Sequence, residues 1–371
     1  MPAKSVVLYD FLQVKGGAEA VTLDLCRHFK HMDLIAGWIN RDCFPELGEI
    51  ENRSRFLAQP TSIQGWQTIK CARAFLQKCP NLSSYENVIF SGSNAPLAIL
   101  KTKAQKNIYY CHTPPRFVYD LKEYYFDTIP TWQKPALNAL IAWFQPKYEQ
   151  ALSKMDVVLC NSKNVQGRLK KHLNVDAEVL YPPVNTERFK YLSDGDYFLS
   201  TARLEPYKRV ETIVRAFMEM PDKKLIVTSG GSQELYLREL AKDRENIQFT
   251  GWVSEEKLAD LMGNCMATIY IPKDEDFGMS PLESHGAGKP VIGVSEGGVL
   301  ETIENKSNGY LLPADPGTEI CVKVISELKI SQLMKMRNAC QRNANLYDAK
   351  KFFEAITKIT SHPRYSDTLA Q

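Results

Sequence analysis

The chain has 371 residues, of which 44% are hydrophobic and 24% charged, and a formal net charge of +3. That length is more than one core usually fills and fits two domains of ordinary size. The charge is too small to argue for a nucleic-acid partner, no basic arm or aromatic-basic repeat adds to it, and no apolar run approaches the ~20 residues that cross a bilayer.

The N-terminus runs from Met1 directly into an apolar strand at residues 5–9 with no signal-peptide core, which predicts a cytoplasmic protein whose contact with a membrane, if it has one, is peripheral. The nine cysteines are scattered and form no C-x-x-C pair, so they read as reduced, mostly buried thiols. The first strand ends at Asp10. The loop after it carries Gly16 and Gly17, and Ala18, Val21, Leu25 and Phe29 then recur at helical spacing. A strand, a double glycine and a helix start make either a phosphate-binding turn or only a tight one.

Runs at 33–37, 87–91 and 107–111 alternate with helical stretches, a βαβ rhythm that puts ligands at the carboxyl ends of strands. His112 directly follows one such end and is a candidate site residue; the alternative is a structural histidine. Residues 132–154 form a helix with Leu137, Leu140, Ile141, Trp143 and Phe144 on one side, read first as core or interdomain packing and second as membrane-facing. After a strand at 155–162, the Pro182-Pro183 pair breaks the pattern. We take it as a linker between an N-terminal domain, 1–181, and a C-terminal domain, 182–348. The final stretch, 349–371, begins with an amphipathic helix expected to pack back on the first domain.

The second domain repeats the rhythm, with strands at 197–201, 224–228, 247–251, 267–271 and 290–294. The expected fold is α/β, two doubly wound Rossmann-like domains facing each other. Between its fourth and fifth strands lies K-D-E-D-F-G-M-S-P-L-E-S-H-G-A-G-K-P-V-I, residues 273–292. Here Ser280 suits a helix cap, Pro281 the first helical position and Glu283 the capping-box spacing. A glycine loop leading into a helix N-terminus collects an anion. Glu275 and Glu283, eight positions apart, flank that place, or are simply a solvated charge and a capping residue. Arg203 and Lys208 follow the first strand of the domain. With the helix start and the Gly297-Gly298 turn they describe a diphosphate site able to stabilise a leaving diphosphate, or else they are ordinary surface cations.

No P-loop, G-x-S-x-G or H-E-x-x-H motif is present, so nothing supports a P-loop ATPase, serine hydrolase or zinc protease. Asp274-Glu275-Asp276 has the D-x-D shape that holds a divalent metal, which leaves a metal-dependent reading open.

The stretch E-D-F-G-M-S-P-L-E resembles the E-x7-E signature of retaining GT-B glycosyltransferases, family 4 in particular. R-L-E-P-Y-K-R is similar to that family's diphosphate motif. G-G-A-E, N-S, Y-P-P-V-N-T-E-R-F, N-I-Q-F-T-G-W-V and E-G-G-V-L-E-T-I fall in the family's order over nearly the whole chain. The resemblance implies the GT-B fold with an interdomain cleft and a role for each matched residue. Glu275 contacts donor-sugar hydroxyls and Glu283 the ribose. Arg203 and Lys208 hold the diphosphate, helped by backbone around Gly16, Gly17, Phe277, Gly278, Met279 and Ser280. Trp252 and Val253 lie by the base, and His112 touches the donor sugar at the reacting centre. The implied reaction is a front-face transfer in which the leaving phosphate oxygen takes the acceptor's proton, with no metal and no cofactor.

C-H-T-P-P-R-F-V-Y-D is similar to a motif of bacterial surface-polysaccharide mannosyltransferases that act on lipid-diphosphate carriers. It implies GDP-mannose as donor and a glycan or polyprenyl-diphosphate-linked acceptor facing Arg116, Tyr119 and Asp120, unless Arg116 and Asp120 form only a local ion pair. Such an acceptor strengthens the membrane reading of Trp143, Phe144 and Lys147. The alternatives are a UDP-sugar-dependent transferase of the same fold and a non-catalytic nucleotide-sugar or glycan-binding protein.

Overall fold

The computed structural model describes residues 4–45, 47–61 and 65–361. Contacts divide the chain into two units. One runs to Tyr181 and resumes at Phe352, and the other is Pro182–Lys351.

The first unit is built on a seven-stranded parallel sheet: β1 (Ser5–Tyr9), β2 (Met32–Ala36), β3 (Ser54–Phe56), β4 (Asn87–Ser91), β5 (Lys106–Cys111), β6 (Val157–Cys160) and β7 (Glu178–Val179), in the order β3-β2-β1-β4-β5-β6-β7. Parallel strands are covered on both faces, and β1, β4 and β5 are accordingly buried at every position. The two-residue period of a strand divides the core. Val6 and Leu8 pack on one side with Phe75 and Phe144, while Val7 and Tyr9 pack on the other with Val21, Leu25, Phe352 and Ile356. The latter two belong to the closing helix Ala349–Ser361, whose last turn is held by Lys106 Nζ donating to Ile359 O at 2.5 Å and Asn87 Nδ2 to Thr360 O at 3.1 Å.

The second unit carries a six-stranded parallel sheet: β8 (Tyr197–Ser200), β9 (Lys224–Thr228), β10 (Ile247–Gly251), β11 (Ala267–Ile269), β12 (Val291–Val294) and β13 (Gly309–Leu312), in the order β10-β9-β8-β11-β12-β13. Both sheets are doubly wound. Strand order reverses between β1 and β4 in one and between β8 and β11 in the other, and a crevice opens at such a switch point. Asp10 and Gly92-Asn94 follow the first pair of strands; Arg203-Lys208 and Lys273-Ser280 follow the second.

All nine cysteines are free, and all but Cys43 are buried. Among the described residues no helix is long and apolar enough to cross a membrane. Phe144 is fully buried in the first core, which removes it from any membrane-facing surface; Trp143 is half-buried, with the Lys147 ammonium 4.9 Å from its ring.

Candidate functional site

Lys208 and Glu275 meet across the switch point of the second unit, with Nζ donating to Oε2 at 2.5 Å and little of either side chain exposed. Burial alone disfavours the Lys208 charge, but the adjacent Glu275 carboxylate more than offsets it and raises the ammonium pKa above its ordinary value. Tyr270, just past β11, is buried beside the pair with its ring 5.7 Å from Lys208 Nζ. Burial, then Glu275, pushes its phenol pKa up.

The loops that carry this pair are pinned on both sides. Glu205 accepts from Ser232 N at 3.0 Å and Ser232 Oγ at 2.6 Å, fastening the Arg203–Lys208 turn to the loop after β9. On the other side the Gly297-Gly298 turn lies against the backbone of the Glu275 loop. Gly298 N donates to Glu275 O at 2.7 Å, and a Cβ on Gly298 would come 2.3 Å from Asp276 O. Glycine there is a steric requirement.

The helix Met279–Gly286 starts differently from the expected capping box. Its N-cap is Gly278 at φ +88, no side chain caps it, and Ser280 and Pro281 already lie inside the first turn. Glycine takes the left-handed conformation without cost and so sets the chain direction that the Ser-Pro pair had suggested. The first-turn amides are left free of a side-chain cap, which suits an anion. Glu283 is partly buried, and its carboxylate makes no hydrogen bond or ion pair among the described residues; burial raises its pKa, opposed by Arg188 and assisted by Glu255. The Phe277 ring is buried with its centroid 5.6 Å from that of the Tyr347 ring.

Arg203 is exposed and donates to Tyr207 Oη at 3.2 Å; it takes no part in the Lys208–Glu275 hydrogen bond. Trp252 is also exposed, with its indole edge over the loop after β9: a Cβ on Gly230 would approach Nε1 to 2.6 Å. Val253 beside it is half-buried. Among the described residues no three His, Cys, Asp or Glu side chains are gathered as a metal site.

In the first unit, Gly16 is the N-cap of the helix Gly17–His28, in extended conformation at φ −143 and without a side-chain cap. His112 Nε2 lies 2.9 Å from Ser91 Oγ, and burial lowers its pKa from 6.5 to about 4, so the imidazole is neutral at ordinary pH. Asp10, not singled out from sequence, is the anchor of this switch point. It accepts from Ser93 N, Asn94 N, Asn94 Nδ2 and Ala95 N at 2.8–2.9 Å, with Gly92 at φ +101 passing close over its carboxylate. Arg116 and Asp120 do form a local ion pair at 2.8 Å, and Arg168 adds a second cation 3.7 Å from the same carboxylate. Tyr119 donates to Glu149 Oε1 at 3.2 Å. Arg168, Ser91 and Asp10 carry no motif of their own. An Asp ending an apolar strand ahead of a glycine loop was the one available signal.

Two doubly wound parallel sheets with loops of this composition at both switch points are the architecture of the GT-B glycosyltransferases. The chain aligns over 97% of its length with 99% of a crystallised Anabaena protein, Alr3699/HepE in complex with UDP and glucose, at a TM-score of 0.72 and 16% identity. Residues 15–188 match the family model Glycosyltransferase Family 4 and residues 184–346 match Glycosyl transferases group 1. The two matches overlap at residues 184–188 and together span residues 15–346: a domain of the family 4 model followed by one of the group 1 model, the domains of a glycosyltransferase. It is similar to alpha-1,3/1,6-mannosyltransferase ALG2 of Dictyostelium discoideum, 27% identical over 61% of this chain and 63% of that relative. It is also similar to the protein of that description from Candida albicans, 23% identical over 93% of this chain and 95% of the relative.

Proposed function

We propose that the protein transfers a hexose, with mannose from GDP-mannose as first choice, to a glycan or lipid-linked acceptor, with retention at the anomeric carbon and without a metal. The observation that carries this reading is the buried Lys208–Glu275 pair, which sets a phosphate-binding cation beside a sugar-binding carboxylate at the switch point. The mannosyl choice is supported by the activity named for the relatives and by the C-H-T-P-P-R stretch. Because these relatives are eukaryotic, the acceptor is widened from bacterial surface-polysaccharide precursors to glycan and lipid-linked acceptors generally.

In this reading Lys208, Arg203 and the amides of residues 278–280 take up charge on the diphosphate as the bond from C1 to the phosphate oxygen breaks. The acceptor oxygen forms the new bond to C1 on the same face, and its proton passes to the departing phosphate oxygen. Glu275 holds sugar hydroxyls and Glu283 the ribose. His112, neutral, acts as a hydrogen-bonding group toward the donor sugar.

A thermal-shift panel of GDP-mannose, UDP-glucose, UDP-GlcNAc and UDP-galactose tests the donor. Ligand at 100 times its dissociation constant adds about 2.7 kcal/mol of stability. A shift with a UDP-sugar alone establishes the UDP-dependent alternative. A shift without release of nucleoside diphosphate, with or without acceptor, establishes the binding protein. Loss of transfer in excess EDTA overturns metal independence and returns Asp274 and Asp276 to the role of ligands. Sedimentation with anionic liposomes tests membrane contact through Trp143 and Lys147; a protein that stays in the supernatant has none there.

A further inference from the structure

Arg209, the residue after Lys208, is buried and sits in the left-handed region at φ +53, a conformation strained for any residue with a side chain. It spans the loops after β11, β12 and β13. Nη1 donates to Glu296 Oε1 and, at 3.4 Å, to Ile271 O, while Nη2 faces Asp315 at 2.9 Å as an ion pair without hydrogen-bond alignment. Glu296 also accepts from Asp315 N at 3.4 Å and opens the Glu296-Gly297-Gly298 turn. Gly297, at φ +62, lies so close to the Glu275 loop that a Cβ would come 2.6 Å from Glu275 N, and Gly298 N donates to Glu275 O. The contacts close a ring: Lys208 side chain to Glu275 side chain, Glu275 backbone to Gly298, Glu296 side chain to Arg209, and Arg209 back to Lys208 through one peptide bond.

We propose that Arg209 is a positioning residue which, through Glu296 and the Gly297-Gly298 turn, fixes Glu275 against Lys208 and so sets the geometry of the donor-sugar end of the site. The inference rests on the reading of Lys208 and Glu275 as donor-site residues. At a turn where glycine would be unstrained, the left-handed arginine supplies a guanidinium that couples the two loops that bear the pair. Displacing Glu275 by about 1 Å is enough to lower turnover ~100-fold without altering nucleotide contacts.

Hydrogen exchange of the full chain reads the ring directly, and transfer kinetics with GDP-mannose and UDP-glucose read its consequence. In Arg209→Gly, glycine accepts φ +53, which offsets only part of the loss of the Glu296 ion pair, so the melting temperature is expected to fall and exchange is read at a temperature where both chains are fully folded. Exchange in 273–279 and 295–299 rises, and kcat falls ~100-fold with a much smaller change in donor KM. Glu296→Gln gives the same pattern, and the double variant is no worse than the poorer single one, as for two members of one chain of contacts. Wild-type protection in those segments in Arg209→Gly, or losses that add as for independent sites, overturns the proposal. Lys208→Ala separates the two readings. Full transfer by that variant removes the donor-site reading, whereas exchange at 273–279 and 295–299 in Arg209→Gly, with Lys208 in place, still reports on the ring.

Discussion

Glu275 is the partner that keeps Lys208 charged at a position where burial alone works against the charge. Neither residue is a spectator to the other. Removing one side chain leaves an uncompensated, nearly buried charge, which costs roughly 3–5 kcal/mol, whereas replacing both by apolar groups can be nearly neutral. Glu275→Ala is expected to lower stability in urea titration and to abolish transfer. Lys208→Met combined with Glu275→Leu is expected to regain most of the stability and none of the activity. A double variant as unstable as Glu275→Ala contradicts the ion-pair account. A single Lys208→Ala that loses less than roughly 100-fold in kcat contradicts the catalytic one.

Two histidines, His285 fully buried and His112 partly so, contribute to the acid side of the stability profile. His112 and His285 both have pKa values pushed by burial from 6.5 to about 4, the latter with Nε2 2.9 Å from Asn308 O and Nδ1 3.0 Å from Asn343 Nδ2. The unfolded chain takes up protons at these sites first. Stability is therefore present in full above pH 6.5 and is lost as the pH falls from there toward 4. The melting temperature measured from pH 8 to pH 4 should drop over that interval, and more shallowly in His285→Asn than in the parent. Transfer should show no inflection near 6.5 from His112.

Glu283 lies in the opposite sense. Its carboxyl pKa is raised by burial, so its charge destabilises the folded chain as pH rises above the ordinary glutamate value of 4.5. Glu283→Gln is expected to raise the melting temperature at pH 7.5 while shrinking the further rise produced by a nucleotide sugar. A lower melting temperature in the free variant means that the carboxylate is doing structural work at the helix start.

Phe144 is a core residue, although it stands next to the half-buried Trp143 on the helix Lys134–Leu152. Phe144→Ala should cost roughly 3–5 kcal/mol in chemical denaturation through the cavity it leaves. Trp143→Ala should cost much less, and any effect of it on liposome sedimentation should appear without loss of fold.

The central strands were legible because parallel strands covered on both faces read as unbroken apolar runs: β1, β4, β5, β8 and β12 all fall where such runs lie. The short strands Ser54–Phe56 and Glu178–Val179 and the edge strand Gly309–Leu312 were not read. Edge strands carry mixed residues, and Glu178-Val179 is hidden in the approach to the diproline. Spacing pointed to Lys208 and Glu275 separately. Their union is a contact between residues 67 apart, set by strand order, which no local pattern encodes. The helix start was misread for a related reason. Ser280-Pro281 fits a capping rule, but Gly278 supplies a backbone conformation no other residue offers so cheaply, and the helix begins there.

The closing helix has a consequence for how the chain is made. Phe352, Ile356 and Ile359 complete the face of the first sheet that Val7, Leu25 and Tyr110 line. A ribosome therefore releases the whole second unit before the first can finish its core. During synthesis that apolar face stays uncovered, a natural place for a chaperone to hold the nascent chain. An expression clone cut after Tyr181 inherits the same open face permanently, and co-expression of a peptide bearing residues 349–361 is the direct way to close it.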